Sequence, residues 1–196
     1  MANAVTSYGT DACPPQGTER VNGEQPIPKK TVGAGSVVGD LVKGAVAGLV
    51  ATKLMGWVTN FIWEHEPLAA RQQYERVTGG KYPPDRAAES IERTLHLQVN
   101  EKQHGALAQA MHMGLGIGAG MVYALMRRRV RGADRGQGLL FGLLFAAIVD
   151  EGLTPLLGLA EPPQKYPWQA HVRGLAGHVA YGVAADSTLD VLDKLA

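Results

Sequence analysis

The sequence predicts an all-α fold: a four-helix transmembrane bundle with both termini cytoplasmic and a helical outer loop between helices one and two. Three observations carry that reading. First, the stretch Met111–Arg131, MHMGLGIGAGMVYALMRRRVR, overlaps a run from Gly105 to Met126 with no Asp, Glu, Lys or Arg. A helix of about 20 apolar residues crosses a bilayer core. The run stops at Arg127, Arg128 and Arg129, with Arg131 and Arg135 close behind, and clustered arginines mark a cytoplasmic helix end. Second, most of the 25 glycines lie inside apolar stretches. Glycine costs about 1 kcal/mol in the interior of a soluble helix, but in a membrane it lets helix backbones approach closely. Third, four apolar stretches alternate with polar ones, so the mean hydropathy of −0.07 averages two unlike populations.

The elements follow in order. Residues 1–32 are rich in Pro, Gly, Thr and Gln without a hydrophobic period, which predicts a disordered tail ending at Lys29 and Lys30. The remaining 33–196 form the membrane domain. Span one covers about 37–63, with Asp40 and Lys43 near its start, Lys53 inside it, and Trp57 and Trp63 toward the far interface. The insert 64–104 is polar. Short surface helices are expected over 68–77 and 86–97, separated by Gly79-Gly80 and Pro83-Pro84. Span two covers about 103–126, span three about 138–159 and span four about 168–189. Pro155 should break or kink span three near its exit. A Pro-rich turn at 160–167 carries Tyr166, and Trp168 opens span four; both are interface anchors. Lys29, Lys30, the arginine loop and Lys194 then fall on one side.

The small-residue pairs Gly44/Gly48, Gly114/Gly118, Gly116/Gly120 and Gly138/Gly142 are each spaced for close helix packing, either internally or against a second copy in a homo-oligomer. A net charge of +1 gives no electrostatic case for nucleic acid, so the expected partner is the lipid bilayer. The single Cys13 allows no internal disulfide, and no apolar run precedes it, so no cleaved signal is expected. Zinc spacing, a phosphate loop, a nucleophile elbow and a Cys–His arrangement are all absent from the sequence. The reading is therefore not an enzyme, with no metal or other cofactor.

Ionisable residues recur at one depth. Lys53, His112, Asp150, Glu151 and His178 each lie about 8–10 residues below the outer boundary, or roughly 12–15 Å. A lone charge there costs at least about 2.5–3.5 kcal/mol, so the groups are expected to face one another as a midplane cluster, with Asp186 a secondary polar position. Histidines titrate near neutrality, which suits proton or small-ion handling. The alternatives are a structural or partner-binding scaffold fixed by a buried ion pair between Lys53 and Asp150 or Glu151, and a b-type haem held by His112 and His178.

From Arg135 onward the residues Gln137-Gly138-Leu139-Leu140, Pro155-Leu156-Leu157-Gly158-Leu159, Pro162-Pro163, Pro167-Trp168 and Gly177-His178 stand in a recognisable order. In these the chain resembles the YagU-like family of bacterial inner-membrane proteins. The resemblance implies the same four-span layout, an inner-membrane location and a link to acid tolerance. It also implies that His112 is the family's helix-two histidine and that Asp186 is the acidic residue eight positions after the span-four histidine. Asp150-Glu151 departs from the family pattern, which has a histidine near that point, and Lys53 has no clear counterpart.

Overall fold

In the computed structural model, described over residues 34–130, 132–134 and 136–195, the regular structure of the described residues is entirely helical. The tail expected over 1–32, with Cys13, Lys29 and Lys30, and the loop residues Arg131 and Arg135 lie outside that range. Residues Val32–Ala196 group as one compact unit.

Helix α1 spans Ala34–His65. Helix α2 spans Leu68–Thr78 and ends where Gly79 takes a left-handed conformation, φ 65°, which costs glycine nothing. Helix α3 spans Pro83–Leu95. Its Pro-Pro pair, a separator in the sequence reading, forms the first turn, where a missing N–H is harmless. Helix α4 spans Glu101–Arg129 and starts on a reciprocal cap: the Asn100 side chain accepts from the Gln103 N–H, and the Gln103 side chain accepts from the Asn100 N–H.

Helix α5 runs over Leu139–Leu156. It begins as an α-helix over Leu139–Phe145, widens to a π-helix over Ala146–Leu153 and closes as α over Thr154–Leu156. Pro155 explains the widening. Its ring has no N–H and would clash with the carbonyl of Glu151 in a regular α-helix. The Thr154 N–H instead bonds Val149 O, five residues back. The proline therefore reshapes the turn before it, and the helix ends one residue later. A single 3₁₀ turn, Pro163–Lys165, interrupts the connection to helix α6, Trp168–Leu195.

Glycines set the closest approaches. A Cβ on Gly44 would lie 2.7 Å from Gly120 O, and one on Gly48 would lie 2.5 Å from Gly116 O, so α1 meets α4 backbone to backbone. Gly138 and Gly142 meet Gly182 and the His178 backbone in the same way, fixing α5 to α6. Gly177 packs on Met55 and Thr59, fixing α6 to α1. Gly114 and Gly118 do not pack internally: a Cβ on either would have no neighbour within 4 Å among the described residues. They lie on the outward side of α4, two residues off the Gly116–Gly120 stripe that faces α1. Gly177 and Gly182 do the corresponding work on α6.

The interior is small and polar, and the exterior is large and apolar. Ala47, Ala51, Ala184, Ala185 and the fully buried Tyr123 and Tyr181 form the core. Asp40, Thr52, Arg173, His178 and Asp186 are buried among them. Val42, Val46, Leu49, Trp57, Leu144 and Ile148 are exposed. Two helices, Val37–His65 and Leu139–Leu156, are long and apolar enough to cross a membrane. The uncharged run Gly105–Met126 is not one of them, because Gly, Ala, Gln and His replace charge there without adding large apolar side chains.

Candidate functional site

The antiparallel winding gives the unit two polar ends. One gathers the start of α1, the end of α4 and the end of α6. There Arg127 Nε lies 3.3 Å from Asp186 Oδ1, and its guanidinium also meets Asp190 and, at 3.9 Å, Asp193. Arg128 Nε lies 2.8 Å from Asp40 Oδ1, and Lys43 Nζ lies 2.7 Å from Asp193 Oδ1. The Tyr123 hydroxyl donates to Asp186 at 2.7 Å. A cavity of about 180 Å³ opens between Asp40, Lys43, Arg127, Arg128 and Asp193. Burial opposes ionisation of Asp193, but Lys43, Arg128 and Arg127 outweigh it and hold the carboxyl below its usual range. In the sequence the arginines read only as a topology signal. The pattern that points to this network is Asp186, Asp190 and Asp193, spaced i, i+4 and i+7 on one helical face.

The other polar region lies between α5 and α6. Asp150 and Glu151 are consecutive on the π-helical segment, and each meets a different histidine of α6. His178 Nε2 lies 2.9 Å from Asp150 Oδ2. His171 Nδ1 lies 2.7 Å from Glu151 Oε1, and its Nε2 lies 3.1 Å from Pro163 O. His178 is 3 % exposed, and its Nδ1 is buried without a hydrogen-bond partner among the described residues. Phe145 packs edge-on against its ring at 4.8 Å. His112 is half-buried on α4.

The expected cluster is thus partly assembled. Asp150 and His178 come together, whereas His112 makes no hydrogen bond or ion pair with either among the described residues. Glu151 does not join them but turns to His171, three residues after Trp168 and therefore nearer the start of α6. Lys53 is a correction: it is exposed on α1 and makes no ion pair among the described residues. The α1 faces used for packing are taken by Gly44, Gly48, Thr52 and Met55, which leaves Lys53 on the outer stripe with Leu49 and Trp57. Asp186 belongs to the arginine end, about two helical turns from His178. His171 is the residue that sequence reasoning missed, although His171 and His178 at i, i+7 share one face.

Above this region, Arg173 Nη1 pairs with Glu66 Oε1 at 2.6 Å, and the guanidinium lies 4.6 Å from the ring centres of both Trp63 and Tyr74. This cation–π sandwich ties the insert helices to the bundle. Burial pushes the Tyr74 hydroxyl up to about 12 against the lowering effect of Arg173, with Tyr166 and Tyr82 adding to the rise.

Compared with known proteins, residues 61–187 match the family described as protein of unknown function, DUF1440. The chain belongs to that family. No curated protein and no solved structure matches it. The matched range holds His112, Asp150, Glu151, His171, His178 and Asp186, and leaves most of α1, with Lys53, outside.

Proposed function

We propose that this member of the DUF1440 family is a four-span protein of the bacterial inner membrane that handles protons or a small ion at Asp150, His178 and His112. The observation that carries the reading is His178. Its Nε2 faces a carboxylate oxygen, while its Nδ1 is buried with no hydrogen-bond partner among the described residues. A hydrogen on Nδ1 would be an unpaired buried donor, which is costly. The favoured state therefore has Nε2–H donating to Asp150 and a bare lone pair on Nδ1, a vacant proton acceptor inside the bundle. Intramembrane ionisable groups are functional candidates by default, and π-helical segments such as the one carrying Asp150 are frequent at functional sites.

Membrane location is supported by the apolar exterior around a small, polar interior, since such continuous apolar surface is rare on soluble monomers. The YagU-like residue pattern supports the inner membrane and an acid-tolerance setting. A second reading, a structural or partner-binding scaffold, is favoured by the close Arg127, Asp186 and Asp190 contacts, which bind helices without needing to change state. A haem between His112 and His178 is disfavoured, because Asp150 already occupies Nε2 of His178.

The test is the purified protein in liposomes with an internal pH-sensitive dye. Wild type should speed the decay of a pH gradient, and Asp150→Asn and His178→Ala should remove the effect while the protein stays folded. Decay no faster than in empty liposomes would leave the scaffold reading. Soret-band absorbance in the purified protein would restore the haem reading.

A further inference from the structure

We propose that Glu151 and His171 form a proton-loading site at the outer mouth of the α5–α6 groove, holding one proton more than a neutral histidine beside an ionised carboxylate. The argument is a count of hydrogens. His171 Nε2 lies 3.1 Å from the Pro163 carbonyl, which only accepts, so Nε2 carries a hydrogen. His171 Nδ1 lies 2.7 Å from Glu151 Oε1. Two bare lone pairs would repel at that distance, so a hydrogen lies between them as well. Either the ring is an imidazolium or Glu151 is a carboxylic acid, and the charge-assisted imidazolium–carboxylate arrangement is the stronger.

The inner pair has the opposite filling. His178 has one acceptor partner, Asp150, and an unpartnered Nδ1. The two histidines lie seven residues apart on one face of α6, about 10 Å along the axis, and their carboxylates are neighbours in sequence. The two pairs differ at the histidine: the His171 side chain is 37 % exposed and that of His178 is 4 % exposed, while Glu151 and Asp150 are each 44 % exposed. Loading takes a proton from hydronium and leaves water. Onward transfer breaks the bond at the outer pair and forms one at the inner pair, after which the outer pair reloads.

The charged and titratable groups on the elements packed there are Asp150 and Glu151 on α5, Glu161, Lys165 and Tyr166 in the connecting loop, Arg86 on α3, Arg173 and His178 on α6 and Glu66 beyond α1. Arg173 is paired with Glu66, and Glu161 is shared by Lys165 and Arg86. Glu151 is therefore the carboxylate left to pair with His171.

The transfer step rests on the proton-handling reading, but the stored proton does not. Nitrogen-15 NMR of the full-length protein in nanodiscs near neutral pH should show hydrogens on both ring nitrogens of His171. In Glu151→Gln, whose amide can itself donate to Nδ1, it should show one. A single ring hydrogen in the wild type, with Glu151 ionised by infrared, would overturn the loading site whatever the liposomes show. In the same liposome assay Glu151→Gln should slow gradient decay by about 100-fold, the scale of a lost acid–base group. Unchanged decay would remove the pair from the pathway. An inert wild type with a doubly protonated His171 would sink the proton-handling reading and leave the stored proton standing.

Discussion

The arginine end and the histidine groove are built from the same α6 helix, yet they place charge in opposite ways. At the arginine end, guanidinium groups that stay charged at any accessible pH meet the carboxylates of Asp40, Asp186, Asp190 and Asp193. Asp186, Asp190 and Asp193 share Arg127, while Asp40 and Asp193 share Arg128. In the groove each carboxylate meets a histidine, whose charge can change, and one ring nitrogen has no partner among the described residues. The difference is one of chemistry more than burial, since Asp186 and His178 are both almost fully enclosed. The first arrangement holds three helices in place. The second can change state without losing its helix contacts, because glycine–backbone packing rather than the ion pairs fixes α5 to α6.

The largest expected effect tests that last point. Gly142→Leu drives a side chain into the His178 backbone, where no rotamer gives relief, and should exceed the roughly 1–3 kcal/mol of ordinary overpacking. Loss of a monodisperse, cooperatively melting protein in detergent would show it. Gly114→Leu, in open space, should shift stability by less than about 0.5 kcal/mol.

Next in size, Asp186→Ala should cost about 3 kcal/mol, near the lower end for breaking a buried pair, because Arg127 keeps Asp190 and Asp193. In the groove, the double change Asp150→Leu with His178→Phe should be within about 1 kcal/mol of wild type, since matched apolar replacement of a pair is often neutral. Thermal melts of both variants measure the contrast. Equal, large losses would make the groove a structural joint like the arginine end.

Smaller effects are pH-linked. The lowered Asp193 value gives a contribution that is complete above the ordinary carboxylate range and lost only as pH falls through the depressed folded value. The pair is partly exposed, so Lys43→Met should cost less than about 1 kcal/mol and lose its effect in high salt. At the outer cap, Tyr74 raised to about 12 has the opposite sign. Its contribution is full below the unfolded value near 10 and declines as pH rises toward about 12. Tyr74→Phe should flatten alkaline stability over that window, read as the midpoint of thermal unfolding against pH.

The sequence alone determined a great deal that depends on local rules. Helix positions, the breakers at Gly79 and Pro155 and most of the glycine pairs are legible in it, because apolar runs, breakers and small-residue spacing act within a few residues of themselves. So are four of the five groups found between the α5–α6 groove and α4. Depth counting fails where rotation about the helix axis matters. Lys53 lies at a suitable height but stands on the outward stripe of α1, and Gly114 and Gly118 differ from Gly116 and Gly120 only by an angle. The partners of the carboxylates are not legible at all. Asp150 and Glu151 reach two different histidines because Pro155 widens the preceding turn, and Asp186 serves Arg127 because α4 and α6 end side by side. Those pairings depend on which helices meet, at which register, and only the tertiary packing sets both.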